Sequence, residues 1–285
     1  MNIHINDKPA NITLDMEKTL GEVLSGLEHW ISSSGNRIRL ISVDGEVLDE
    51  DTLPSWFDRD IKKIEKLDIE VSAYKDLAAE ALCVLLLTCR DYGDATFEQR
   101  TKITEDWKQS ASADFLRSDV SGMYDLACAA FLGEGLTVQD LPVIIEERLR
   151  EITVPAQEIA ACEAVVKAVA ARMEELPLDM QTGKDQKAAE TIQRFSGTAQ
   201  KLFRIFFILE SEGLALDTES AGFTVDDLAV KDFMREFTAS LTEITAAYES
   251  KDTVLVGDLS EYELAPRLLN FFFALKNFLE ASSSI

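Results

Sequence analysis

The chain has 285 residues, 46% hydrophobic and 28% charged, with 52 Asp and Glu against 28 Lys and Arg for a formal charge of -24. That length exceeds one ordinary domain and predicts two or three folding units with proper cores. A negative field of this size repels phosphate backbones and anionic lipid, which excludes nucleic acid and anionic membrane as expected partners; a charged partner should be basic, although acidity also serves plain solubility.

The stretch Met1 to Pro9 alternates polar with apolar residues where a secretory leader needs a basic start and an apolar run. No apolar segment approaches the ~20 residues that span a bilayer. A cytoplasmic protein without membrane insertion is expected. Cys83, Cys89, Cys128 and Cys162 lie in stretches of helical period, form no CxxC pair and have no histidine nearby. They read as free thiols and not as a zinc site or a disulfide framework.

Residues 1–73 open with strand chemistry: Ile3 and Ile5 alternate with polar neighbours, as do Ile12 and Leu14, with Asp7-Lys8-Pro9 as the turn between them. Leu20, Val23, Leu24, Leu27 and Ile31 follow at spacings of three and four, which predicts one amphipathic helix ending at Ser32-Ser33-Ser34-Gly35. Arg37 to Val43 is β-branched and stops at Asp44-Gly45, and Ile69 and Val71 close the unit. The predicted order is strand, strand, helix, strand, strand.

That order, with Leu40-Ile41-Ser42-Val43-Asp44-Gly45, Leu48-Asp49-Glu50-Asp51-Thr52-Leu53 and Leu67-Asp68-Ile69-Glu70-Val71, resembles ubiquitin-like β-grasp domains. The resemblance covers about a quarter of the chain and implies a docking or regulatory module. Ser42 stands where ubiquitin presents an apolar contact residue, and the segment runs on into a helix in place of a Gly-Gly end. The implied module therefore has neither the usual recognition patch nor a conjugation terminus.

From Tyr74 the apolar residues repeat with helical spacing, with breaks expected at Asp91-Tyr92-Gly93, Gly133-Glu134-Gly135, the Pro155 region, Gly183 and Gly213 to Gly222. Residues 74–152 are expected to form a helical region and 153–285 an antiparallel four-helix bundle. Its stripes are Ile159 to Leu176, Ala188 to Leu209, Val230 to Tyr248 and Leu264 to Phe278, each of which must be buried against a partner. Two strings, Leu136-Thr137-Val138-Gln139-Asp140-Leu141 and Phe223-Thr224-Val225-Asp226-Asp227-Leu228, each read as the opening of a helix, capped by Thr with an acid three residues on. The fold class is thus α+β, a small sheet module followed by an all-α region.

Catalytic signatures are missing from the sequence. Only His4 and His29 exist, and no GxSxG, GxGxxG, phosphate-binding loop or HExxH occurs. Asp217-Thr218-Glu219-Ser220-Ala221-Gly222 has the central glycine of a calcium loop, but Ala221, Val225 and Leu228 replace oxygen ligands. No cofactor or metal is expected. Two features remain as partner-binding candidates. The first is Tyr262, Glu263 and Arg267 around Pro266, which is expected to kink the helix or mark its beginning; Glu263 and Arg267 are one turn apart, and a solvated ion pair on a bent helix is the plainer reading. Their string, Gly257 to Arg267, is similar to one in uncharacterised bacterial helical proteins. The second is the aromatic set Phe203, Phe207, Phe271, Phe272 and Phe273. Three consecutive rings point about 100° apart, so they cannot all face one core. They are expected either to pack on neighbouring helices or to form an interface, as a homodimer or with a partner helix. The function expected is a non-enzymatic protein-protein interaction adaptor or scaffold, with a helical chaperone or export helper that masks an amphipathic client segment as the alternative and an enzyme or small-ligand binder without a recognisable motif as the third.

Overall fold

A computed structural model describes residues 1–14, 16–33, 35–49, 51–119, 121–211 and 223–282. The described backbone divides into two compact units, one built mainly of residues 1–146 and the other of residues 147–210 and 223–282.

The first unit begins with β1 (Asn2–Ile5), β2 (Lys8–Pro9), α1 (Leu20–Ser33), β3 (Asn36–Val43), β4 (Glu46–Leu48) and β5 (Lys66–Ala73), with short 3-10 turns at Leu53–Trp56 and Ile61–Lys63. The sheet order is β2-β1-β5-β3-β4, with β1 and β5 parallel and the other pairs antiparallel. The five apolar residues expected on α1 are all buried, against Ile3, Val43, Leu67 and Ile69 of the sheet. The first hairpin differs from expectation. Its turn is Asn6-Asp7, both left-handed at φ 49° and 62°, and the second strand is only Lys8–Pro9. Short polar side chains tolerate that conformation. The Asn6 amide also exchanges bonds with Val71, donating from Nδ2 at 3.0 Å and accepting at 2.8 Å, which ties the turn to β5. Ile12 and Leu14 pack on the core outside any strand. The sheet has five strands and not four, because the three residues of β4 are too few to show a period.

Next come α2 (Tyr74–Asp94), α3 (Phe97–Lys108), α4 (Ala111–Ser118), α5 (Met123–Leu132) and α6 (Leu141–Thr153). The break expected at Asp91-Tyr92-Gly93 lies instead in the last turn of α2, and the next helix starts from a capping box between Thr96 and Gln99. Gly122 and Gly133, left-handed at φ 70° and 73°, bound α5.

The second unit holds α7 (Pro155–Glu174), α8 (Leu176–Gln181), α9 (Asp185–Ser211), β6 (Thr224–Val225), β7 (Leu228–Ala229), α10 (Val230–Glu249), α11 (Thr253–Asp258), a π-helical turn Leu259–Leu264 and α12 (Ala265–Ser282). The four long helices share one core that includes Val166 and Met173, Phe195 and Leu202, Phe237 and Ile244, Leu268 and Phe271. The string Phe223 to Leu228 is not a helix start. Asp226 and Asp227 are both left-handed, at φ 55° and 62°, and make a two-residue hairpin turn between β6 and β7. Pro266 lies one residue into α12, inside a helical run that is unbroken from Thr253; it can donate no ladder bond, and the preceding Ala265 N–H bonds Ser260 O in the five-residue step of the π turn.

Phe271 is fully buried and its ring meets Phe203, Phe206, Phe223 and Phe233 at 5.0 to 6.1 Å. Phe271→Ala is expected to cost about 3–5 kcal/mol, as large-to-small core changes do. Phe207→Ala, at a ring 49% exposed, should cost well under half of that. Urea unfolding of both variants gives the comparison.

Candidate functional site

A groove of about 1230 Å³ lies in the first unit between the sheet module and helices α2 and α4. One wall begins at the start of α1. Gly21 N–H donates to Phe57 O at 2.9 Å and Leu20 N–H to Arg59 O at 3.0 Å, which lays the Leu53–Asp58 segment against the helix. A Cβ on Gly21 would lie 3.2 Å from both the Cβ and the carbonyl of Phe57, so glycine permits this approach. The Arg59 guanidinium stacks 3.4 Å over the Trp56 ring and steadies the segment, while the neighbouring Phe57 ring stays 41% exposed. The opposite wall is set by Tyr74, whose hydroxyl donates to the Asp119 carboxylate and whose ring packs on Phe115 of α4 at 5.8 Å.

Leu40, Leu53, Phe57, Leu77 and Phe115 give this groove an apolar lining. Around them stand the carboxylates Glu22, Glu28, Asp49, Asp58, Glu80 and Asp114. Among the described lining residues the facing cation is Arg39, at the bulge of β3, and it already lies 3.7 Å from Glu80. Glu22 Oε2 accepts from the Lys18 and Thr19 N–H groups at 2.6 and 3.2 Å, and those backbone bonds hold its carboxyl below the ordinary range. The Thr52 hydroxyl and N–H do the same for Asp49, at 2.7 and 2.8 Å. No sequence period flagged these residues, since they come from separate elements. The available signal was apolar residues such as Phe57 that fall outside every stripe.

The candidates read from the sequence all lie in the second unit. Phe271 and Phe272 are completely buried, Phe203 and Phe273 are partly buried against the same core, and Phe207 is the most exposed of the five. Tyr262 is 71% exposed on the π turn. Glu263 and Arg267 take other partners than each other: the Ser240 hydroxyl donates to Glu263 at 2.8 Å, and Arg267 reaches Glu236 at 3.5 Å. The wider π turn before α12 rotates Glu263 away from the face that a regular helix would give it. The calcium-like string at Asp217 to Gly222 lies outside the described residues. Among the described residues no cluster of three or more His, Cys, Asp or Glu suits a metal ion, and the four cysteines are unpaired.

The second unit also buries a charged cluster. Glu151, 1% exposed, accepts bidentate bonds from Arg204 at 3.0 Å and further bonds from Arg148 at 3.1 and 3.2 Å. Burial pushes its carboxyl up to about 7, against the pull of Arg148 and Lys201. Lys201 bridges Glu147 at 2.7 Å and Glu158 at 2.9 Å, and these carboxylates raise its pKa although burial alone would lower it. Each cation is answered inside the unit, so the cluster braces α6, α7 and α9 against one another. On the outer side of α7, Lys167 and Lys276 hold Glu163 down to about 2.

Two outcomes follow. Glu151→Met leaves both guanidinium groups without their buried acceptor and is expected to cost about 3–5 kcal/mol in urea unfolding. For Glu163 the folded pKa lies below its ordinary 4.5. Its stabilisation is therefore complete above pH 4.5 and lost as pH falls toward 2. Glu163→Gln should flatten the stability-versus-pH curve in that window, and the difference should shrink in high salt.

Comparison with known proteins adds three similarities. Residues 1–73 match the family model described as the TP0873 N-terminal domain. Residues 158–272 match a domain of unknown function (DUF8042), a span that runs from α7 into α12. An uncharacterized protein of Treponema pallidum (strain Nichols) is 22% identical over 266 residues, covering 93% of this chain and 92% of that protein. No solved structure matches the chain.

Proposed function

We propose that the protein is a non-enzymatic adaptor for protein-protein interaction. In this reading the first unit carries a ubiquitin-like β-grasp module with a helical annex, and the four long helices of the second unit form an antiparallel bundle as its scaffold. The observation that carries the proposal is the groove. At about 1230 Å³ it exceeds the 300–1,000 Å³ of ordinary small-ligand pockets. Its described lining combines aliphatic and aromatic side chains with six carboxylates, Arg39 and the uncharged polar Thr19, Ser25, Gln109, Ser112 and Ser118, and contains neither histidine nor cysteine. That is the make-up of a surface for a polypeptide. The order β2-β1-β5-β3-β4 with one helix after the first hairpin supports the β-grasp reading, and such modules serve widely as docking heads, although fold alone assigns no partner. In the second unit Phe207 and Tyr262 are the rings left to meet another chain, be it a partner or a second copy.

Affinity capture on the full chain from lysate of its source organism, with mass-spectrometric quantification, tests the reading. An adaptor recovers a small, fixed set of folded proteins in near-stoichiometric amounts. A broad population of unfolded segments would turn the reading to a chaperone, and recovery of nothing above the bare support would overturn it.

A further inference from the structure

We infer that the groove of the first unit receives a basic amphipathic helix from a partner protein, an inference that rests on the adaptor reading. Three observations converge on that occupant. The first is charge. Six carboxylates line the groove; Glu80 lies 3.7 Å from Arg39 and Asp114 2.6 Å from Arg117, which leaves Glu22, Glu28, Asp49 and Asp58 to meet an occupant. A neutral or acidic occupant would strip water from those carboxylates without replacing it, whereas lysine and arginine bring compensating charge. The second is the lining. Leu40, Leu53, Phe57 and Leu77 offer apolar surface directly inside the acidic rim. Lys and Arg suit that layering, because their aliphatic stems lie along apolar side chains while their heads reach outward to charge. The third is size and shape. A helix is about 10–12 Å across and rises 1.5 Å per residue, so roughly three turns can seat one face in a cavity of this volume.

An added β-strand is disfavoured by the sheet itself. The open edge beside the groove is β4, which is only Glu46–Leu48. Three residues offer too short a ladder to template a partner strand, and the chain turns away at once through the Asp49–Thr52 bonds. A nucleic-acid or anionic lipid occupant is opposed by the same carboxylates that favour a basic helix.

The test uses the full chain and a fluorescein-labelled 18-residue amphipathic helix of leucine and lysine, with its leucine–glutamate counterpart as a second probe. Two double variants carry equal changes in net charge. Glu28→Lys with Asp58→Lys reverses charge on the groove rim, and Asp106→Lys with Glu134→Lys reverses it at exposed positions of the same unit away from the groove. Anisotropy at 150 mM salt is expected to show binding of the lysine peptide but not the glutamate peptide. The rim variant should lose at least tenfold in affinity and the control variant less than twofold. Hydrogen exchange should slow at residues 53–58 and 77–81 when the lysine peptide is present. Equal loss in both variants, or protection elsewhere in the chain, overturns the groove as the site and leaves only general attraction to an acidic protein. Circular dichroism confirms that each variant is folded. Should the rim variant still capture the same proteins from lysate as the wild type, the groove inference fails while the adaptor reading stands; if the wild type captures none, the adaptor reading itself fails.

Discussion

The bond from the Tyr74 hydroxyl to the Asp119 carboxylate sits where a strand turns into a helix, and the geometry of the first unit depends on it. β5 ends at Ala73 and α2 begins at the next residue with no loop between them. The direction of α2 is therefore inherited from the sheet. What the sheet cannot fix is where α4 lies, and Tyr74 supplies that through its hydroxyl and through its ring on Phe115. Burial and the adjacent carboxylate both raise the phenol pKa, so the tyrosine remains a donor across the physiological range. With α4 tied to the foot of α2, and the Leu53–Asp58 segment tied to α1 through Gly21, the two walls of the groove are each fixed to the sheet.

The two units handle charge in opposite ways. In the second, cations are spent on internal cross-links: Arg148 and Arg204 on Glu151, Lys201 on Glu147 and Glu158, Arg172 on Asp179. Such pairs add little net stability relative to apolar packing, yet they are costly to break, so they favour one register of α6, α7 and α9. In the groove of the first unit six carboxylates stand among the lining residues with one lining cation, Arg39, and two of them are paired, Glu80 with Arg39 and Asp114 with Arg117. A chain with a formal charge of -24 has acidic surface to spare, and in this groove it lies beside apolar side chains, the combination on which the adaptor proposal rests.

Much of the fold was legible in periodicity. The five apolar positions of α1 are buried as their spacing requires, as are Ile159, Cys162, Val166 and Met173 on α7 and Ala188, Phe195, Ala199, Leu202, Phe206 and Leu209 on α9, while Val169 and Ile192 of the same stripes are partly buried. On α10 the expected stripe is Val230, Met234, Phe237, Leu241, Ile244 and Tyr248; Val230, Phe237 and Ile244 are buried and the other three partly so, while the buried face also takes in Phe233, Ser240 and Ala247. A stripe broad enough to hold both sets has no single centre, so tertiary packing chooses it. Local turn chemistry was harder to read. Asp226-Asp227 looked like helix-capping acids, since a type I′ turn and a capped helix start draw on the same residues, and only the left-handed backbone distinguishes them. Four of the five phenylalanines that looked like surplus surface are absorbed by the second unit's own core, wholly or in part. Three consecutive rings diverge by about 100° each, yet Phe271 and Phe272 are both enclosed, because α12 is surrounded widely enough to bury two adjacent positions. The groove was invisible for a different reason: it exists only once separate elements have been placed, and no local pattern encodes it.

The carboxylates of the groove would lose their meaning if they were protonated or paired in the free protein, and the local bonding works against the first. Glu22 accepts two backbone N–H groups at the head of α1, and Asp49 accepts the hydroxyl and N–H of Thr52. Both carboxyls are thereby held below their ordinary range. These bonds also fix the carboxylates in position before any partner arrives, which lowers the ordering cost of association. The proposed basic helix would thus meet carboxylates whose positions are already set by the protein's own bonds.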